Sequence, residues 1–164
     1  MKYIAHRGLL KGPDKALENK PEQIIDCLLN KEYDCEIDVH FIKNEWWLGH
    51  DEPQYKVEED FLLQKGLWIH CKNLEALERM QYLPKSCNYF WHQEDDFTLT
   101  SQGQIWTFPG NTLTESSVAV IPESSTRNWE YAKESKLFGV CSDYLEAFIN
   151  ETSPMPVWTT SKLF

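Results

Sequence analysis

Short apolar runs recur along the chain, and each stops at a polar or turn-forming residue. Tyr3-Ile4-Ala5 stops at His6-Arg7-Gly8, Cys35 to Val39 carries Glu36 and Asp38, and Leu67-Trp68-Ile69 stops at His70-Cys71-Lys72. Tyr89-Phe90-Trp91 stops at His92, Gln104 to Phe108 at Pro109-Gly110, Val118 to Ile121 at Pro122-Glu123, and Phe138 to Cys141 at Ser142-Asp143. Runs this short, rich in β-branched and aromatic residues and bounded by turn formers, predict strands rather than helices. Phe41 to Leu48 predicts a hairpin that turns at Lys43-Asn44-Glu45.

Helical patterns lie between several of these runs. Pro21 to Asn30 opens on proline behind Asn19 as a cap, with Ile24, Ile25, Leu28 and Leu29 at helical spacing. Leu74 to Met80 sets Leu74, Leu77 and Met80 on one side. Arg127 to Lys136 and Tyr144 to Asn150 predict two more helices. Strands alternating with helices imply a parallel sheet. A full eight-strand βα barrel takes about 200 to 250 residues, and here the later strands are joined by stretches too short for a helix each, so any barrel is trimmed. Val157 to Thr160, behind Pro154 and Pro156, is the candidate eighth strand.

Composition narrows the partners. With 164 residues, 41% of them apolar, the chain buries one core and predicts one domain over residues 1–164. A formal charge of -10, from 26 acidic and 16 basic residues, repels polyanions and argues against duplex nucleic acid and anionic membranes. A small phosphate ester stays compatible, because a cation and one or two basic side chains reverse the field locally. The five cysteines, Cys27, Cys35, Cys71, Cys87 and Cys141, include no C-x-x-C pair and read as reduced, buried thiols. The first apolar stretch is too short for a secretion signal, and no run nears the ~20 apolar residues that span a bilayer. A soluble, cytoplasmic protein is expected.

The polar strand ends carry the candidate chemistry. Residues two apart on a strand share a face, so Glu36 and Asp38 project together and repel unless a cation bridges them or one takes a proton. Oxygen ligands of this kind suit Mg2+ or Ca2+. His6 can pass protons and Arg7 can clamp a phosphate through two donors. In His50-Asp51 a carboxylate sits beside an imidazole and can set its tautomer. His70-x-Lys72 puts a potential metal ligand beside a cation, and His92 reads as a polar lining or core residue. Each motif alone is common on ordinary surfaces; their order is not.

Ala5-His6-Arg7-Gly8, Glu18-Asn19-Lys20-Pro21-Glu22, Glu36-Ile37-Asp38-Val39, His50-Asp51 and Ile69-His70-Cys71-Lys72 together resemble the glycerophosphodiester phosphodiesterase family. Ile105-Trp106-Thr107 and Gly139-Val140-Cys141-Ser142-Asp143-Tyr144 are similar to that family's last barrel strands, and venom-type phospholipases D share the same set. The resemblance implies a TIM-type (βα)8 barrel, here trimmed with several helices shortened or missing, that hydrolyses a small phosphodiester with one divalent cation. His6 and His50 would be the acid-base pair, Glu36, Asp38 and His70 the metal ligands, and Arg7 and Lys72 the phosphoryl contacts, with Glu18 and His92 also facing substrate. The family's third ligand is usually a carboxylate where this chain has His70. Imidazole favours Mn2+ or Zn2+ over Mg2+ or Ca2+. The short stretch from Asp51 to Leu67 leaves little room for the glycerol-capping insertion and implies a more open pocket. The alternatives are a phospholipase D-like transferase that forms a cyclic phosphate, and a degenerate barrel that binds a phosphorylated ligand without turnover.

Overall fold

The computed structural model describes residues 1–150; the candidate strand Val157 to Thr160 lies outside them. The apolar runs are strands, with ends that differ by up to three residues from the predicted ones. They are β1 (Lys2–Ala5), β2 (Asp34–Ile42), β5 (Leu67–Cys71), β6 (Asn88–Phe90), β8 (Ile105–Thr107), β9 (Ser117–Val120) and β10 (Gly139–Ser142). The hairpin is formed by β2 and β3 (Glu45–Leu48), with Lys43 and Asn44 at φ of 53° and 64°. Two left-handed residues give the two-residue turn whose twist matches that of the flanking strands. Two strands of three residues each, too short for a period of two to stand out, were not expected: β4 (Tyr55–Val57) and β7 (Phe97–Leu99).

Helices α1 (Pro21–Leu29), α3 (Leu74–Met80), α4 (Thr126–Glu134) and α5 (Leu145–Asn150) coincide with the predicted ones, and a single turn, α2 (Glu59–Leu62), is added. The caps differ in kind. Asn73 accepts from the Ala76 N–H and Ser125 from the Asn128 N–H, as N-caps do. Asn19 does not cap α1: the residue before the helix is Lys20, without a side-chain cap, and the Asn19 amide is spent elsewhere.

Parallel pairings run β6-β5-β2-β1-β10-β9-β8. β3 and β4 extend antiparallel from the distal half of β2, and β7 lies antiparallel on β8. The result is a mixed, ten-stranded sheet curled into a half-barrel, and the expected TIM-type (βα)8 barrel is incorrect. A parallel crossover needs about a dozen residues or more, usually with a helix. The chain has no helix between β6 and β9; it uses the stretch after Trp91 for the antiparallel strand β7 instead. No pairing among the described residues joins β6 to β8. Their gap is spanned by side chains, Phe90 on Trp106 with ring centroids 4.6 Å apart. The free edge of β6 is covered as well: Ser101 N–H donates to the Tyr89 carbonyl and Thr98 Oγ1 to the Trp91 carbonyl.

The period of two sorts residues onto two faces. Ile4, Trp68, Phe90, Trp106, Val118, Val120 and Cys141 form the core inside the curl. Ile37, Val39, Ile69, Cys71 and Val140 face outward into a larger core with α1, α3, α4 and α5. Glu36 and Asp38, paired with Trp68 and His70, therefore stand on the concave face. Among the described residues no helix is long and apolar enough to cross a membrane.

Candidate active site

Strand register brings the polar ends together. Asp38 is opposite His70 in the β2–β5 pairing. Ala5 is opposite Ser142 in the β1–β10 pairing, so the residues that follow, His6 and Asp143, meet across the strands. His6 lines one edge of a cavity of about 380 Å3 that also receives Arg7, Glu36, His50, His70, Lys72 and His92.

Asp38 is the hub. It is 1% exposed, and its Oδ2 accepts from Asn19 Nδ2 at 2.9 Å and lies 3.2 Å from both Arg7 Nε and His50 Nδ1. Asn19 returns the contact, its Oδ1 accepting the Asp38 N–H at 2.9 Å. Asn19 does this from a left-handed backbone, φ 57°, which asparagine tolerates better than most residues. Burial works against the Asp38 carboxylate, but His50, His70 and Arg7 outweigh it and hold the group well below its ordinary range. Glu36 goes the other way: burial and the neighbouring Asp38 push its carboxyl up. One acid of the pair is thus firmly ionised while the other resists ionisation.

Arg7 is held from all sides. Its own backbone is left-handed (φ 52°), which turns its N–H onto Glu36 Oε2 at 3.1 Å while Nη1 donates to Glu18 Oε2 at 3.2 Å. Glu18 also pairs with Lys15 at 3.1 Å. The predicted substrate residue Glu18 therefore anchors Arg7 and is not among the cavity-lining groups.

The histidines are fixed by what each ring nitrogen touches. His6 Nδ1–H donates to Asp143 Oδ1 at 2.7 Å, leaving Nε2 toward the cavity, 3.9 Å from Glu36. Burial opposes its charge, yet Asp143 wins and the imidazole is raised. His70 Nε2–H donates to the His92 carbonyl at 2.8 Å. In the neutral ring that leaves a lone pair on Nδ1, 3.0 Å from Asp38 Oδ1 and 3.9 Å from Glu36 Oε1. Asp38 Oδ1 is buried without a hydrogen-bond partner. The His50 Nδ1 is contested, because Lys72 Nζ approaches it at 3.3 Å and Asp38 at 3.2 Å. One nitrogen cannot accept from Lys72 and donate to Asp38 at the same time.

Three contributors escaped sequence reasoning. Asp143 closes the last run, but nothing local reveals that β10 pairs with β1. His40 Nε2–H donates to the Gly49 carbonyl at 2.9 Å and steadies the turn before His50. That turn needs glycine, since a Cβ on Gly49 would collide with the Glu52 carbonyl oxygen. Glu123, wholly buried, accepts from Ser142 Oγ at 2.8 Å and from the Asp143 N–H at 2.7 Å, and burial beside Asp143 pushes it up to about 7. All five cysteines are buried and without disulfides. Cys71, which touches the cavity, is pushed up to about 12 by burial and is no thiolate nucleophile.

Glu36, Asp38 and His70 each offer an atom within 4.8 Å of the others. Two carboxylate oxygens and a neutral imidazole nitrogen match the donor set of a divalent cation, and the carbonyl behind His70 is the outer contact that metal-bound histidines commonly have. The chain matches no protein-family model, no curated protein and no solved structure, so the chemistry of the site is read from its own geometry.

Proposed function

We propose that the chain is a metal-dependent phosphodiesterase acting on a small diester, glycerophosphodiester-like in its phosphoryl chemistry. The observation that carries the reading is His70. With Nε2–H committed to the His92 carbonyl, its Nδ1 lone pair faces Asp38 Oδ1 at 3.0 Å, a buried oxygen that accepts no hydrogen bond and has the Lys72 ammonium 3.5 Å away. Two lone pairs at that separation repel unless a cation or a proton lies between them. Glu36, Asp38 and His70 would hold the cation, and the imidazole tilts the preference from Mg2+ or Ca2+ toward Mn2+ or Zn2+. When bound, it supplies Lewis-acid polarisation of the phosphoryl oxygens.

The chain's own groups supply the rest. Arg7 and Lys72 neutralise charge on the phosphoryl oxygens. His6, whose imidazolium Asp143 favours, gives its Nε2 proton to the leaving alkoxide, while His50 takes one from the attacking hydroxyl or water. Lys72 links binding to that role. While its ammonium donates to His50 Nδ1, the ring proton stays on Nε2. Once Lys72 turns to a phosphoryl oxygen, His50 can place Nδ1–H on Asp38 and leave Nε2 free as the base.

Release of p-nitrophenol from bis-p-nitrophenyl phosphate, with EDTA and across Mn2+, Zn2+, Mg2+ and Ca2+, tests the reading. Turnover should require a cation, and His6→Ala/His50→Ala should lower it by at least about 100-fold. A cation-independent rate, or an unaffected double variant, overturns the mechanism. Cation binding without turnover would leave a phosphate-ligand binder instead. His70→Glu should shift the preference toward Mg2+ or Ca2+.

A further inference from the structure

The cavity has a second wall that the phosphoryl chemistry does not use. From β6 round to the end of β9 it is lined by Trp91, Trp106, Phe108, Pro109, Val120 and Ile121, with no charged side chain among them. The polar groups on this side are His92 and Gln93. Phe108 is 47% exposed at the mouth.

The rings form a connected path. Phe90 stacks under His70 at 5.2 Å and 7°, His70 is 6.2 Å from His92, and His92 is 6.0 Å from Phe108. A run of π faces thus leads from a candidate metal ligand to the rim. Ile121 adds to the wall at a cost: it is a β-branched residue held left-handed at φ 43°, a backbone state that persists where surroundings or function enforce it.

A glycerol arm needs a partner for each buried hydroxyl, and this wall offers very few. An aryl arm needs flat apolar surface, which it offers in quantity. A cavity of about 380 Å3 that must also admit a phosphoryl group leaves room for a ring rather than a long chain. We infer that the wall formed by Trp91, Phe108 and Ile121 is a subsite for a compact aryl group esterified to the phosphate. The inference rests on the phosphodiester reading, from which it borrows only the location of the phosphoryl group.

Matched monoesters separate the two ideas, because binding is measured without turnover. Phenyl phosphate and glycerol phosphate are titrated in saturating Mn2+ and followed by tryptophan fluorescence, since Trp91 and Trp106 line the cavity. Phenyl phosphate should bind about five- to ten-fold tighter. Phe108→Ser should erase most of that preference and Phe108→Tyr should keep it; Phe108 is exposed enough for both to fold. Equal affinities, a preference that survives Phe108→Ser, or binding of neither ester overturns the subsite. If the aryl preference holds while bis-p-nitrophenyl phosphate is not hydrolysed, the subsite stands and the catalytic reading falls. Hydrolysis without an aryl preference gives the converse.

Discussion

Strands β1, β2 and β5 carry or lead directly into His6, Arg7, Glu36, Asp38, His70 and Lys72, whereas β6, β8 and β9 lead directly into Trp91, Phe108 and Ile121. Both sets face one cavity, yet they are supported differently. The charged side rests on strands backed by α1 and α3, and its side chains hold one another through Asp38, Asn19 and Glu18. The aromatic side includes the stretch between β6 and β9 that forms no helix, and its rings pack against other rings, Phe90 on Trp106 and Phe108 on His92. Buried charges need partners at fixed distances, so they sit where the backbone is most firmly held. Apolar rings need only surface, and they tolerate the less supported half of the curl.

Four substitutions, measured by urea unfolding in EDTA so that no cation contributes, sharpen that contrast. Asp38→Ala should be the most damaging, at about 4 kcal/mol, because it strips Arg7 and Asn19 of a buried partner. The Asp38 carboxyl is depressed in the folded state. Its contribution is therefore complete above its ordinary value of 3.8 and is lost as pH falls through the lower folded value. A loss as large at pH 2 as at pH 7 would break the account.

Glu123→Gln should act in the opposite sense. The folded carboxyl titrates near 7 rather than 4.5, so the folded state holds a proton that the unfolded chain has released. Wild-type stability should fall between those pH values, by up to about 3 kcal/mol from this group. The glutamine variant should match wild type at pH 4.5 and exceed it at pH 8. Identical pH profiles for the two proteins would remove Glu123 as the cause. Asn19→Ala should cost about 2 kcal/mol, from two hydrogen bonds to Asp38 and a left-handed backbone. Phe108→Ala, on the other wall, should cost less than about 1 kcal/mol. If it proved as costly as Asn19→Ala, the two walls would not differ in support.

Much of the site was legible in the chain. His6, Arg7, Glu36, His50, His70, Lys72 and His92 all line the cavity, with Asp38 buried beside them, because each lies on or just after a strand whose apolar pattern is plain. Glu18 is expected to face substrate, and only the folded chain shows it paired with Arg7 and Lys15. Asn19 looked like a helix cap because it precedes Pro21 at cap spacing, and a local rule cannot see that Asp38 competes for its amide. Glu123 follows a proline at a strand end, and its burial beside Asp143 leaves no trace in local pattern.

The sequence by itself determined where the parallel strands run, which residues stand at their ends, and that two carboxylates share a face. These follow from periods of two and 3.6 residues and from turn formers, all local. Tertiary structure decided that the curl stays open between β6 and β8, that Asp143 meets His6, and that Asp38 gathers Arg7, Asn19, His50 and His70. Those depend on which strand lies beside which and in what register, and that is settled by packing between segments far apart in the chain.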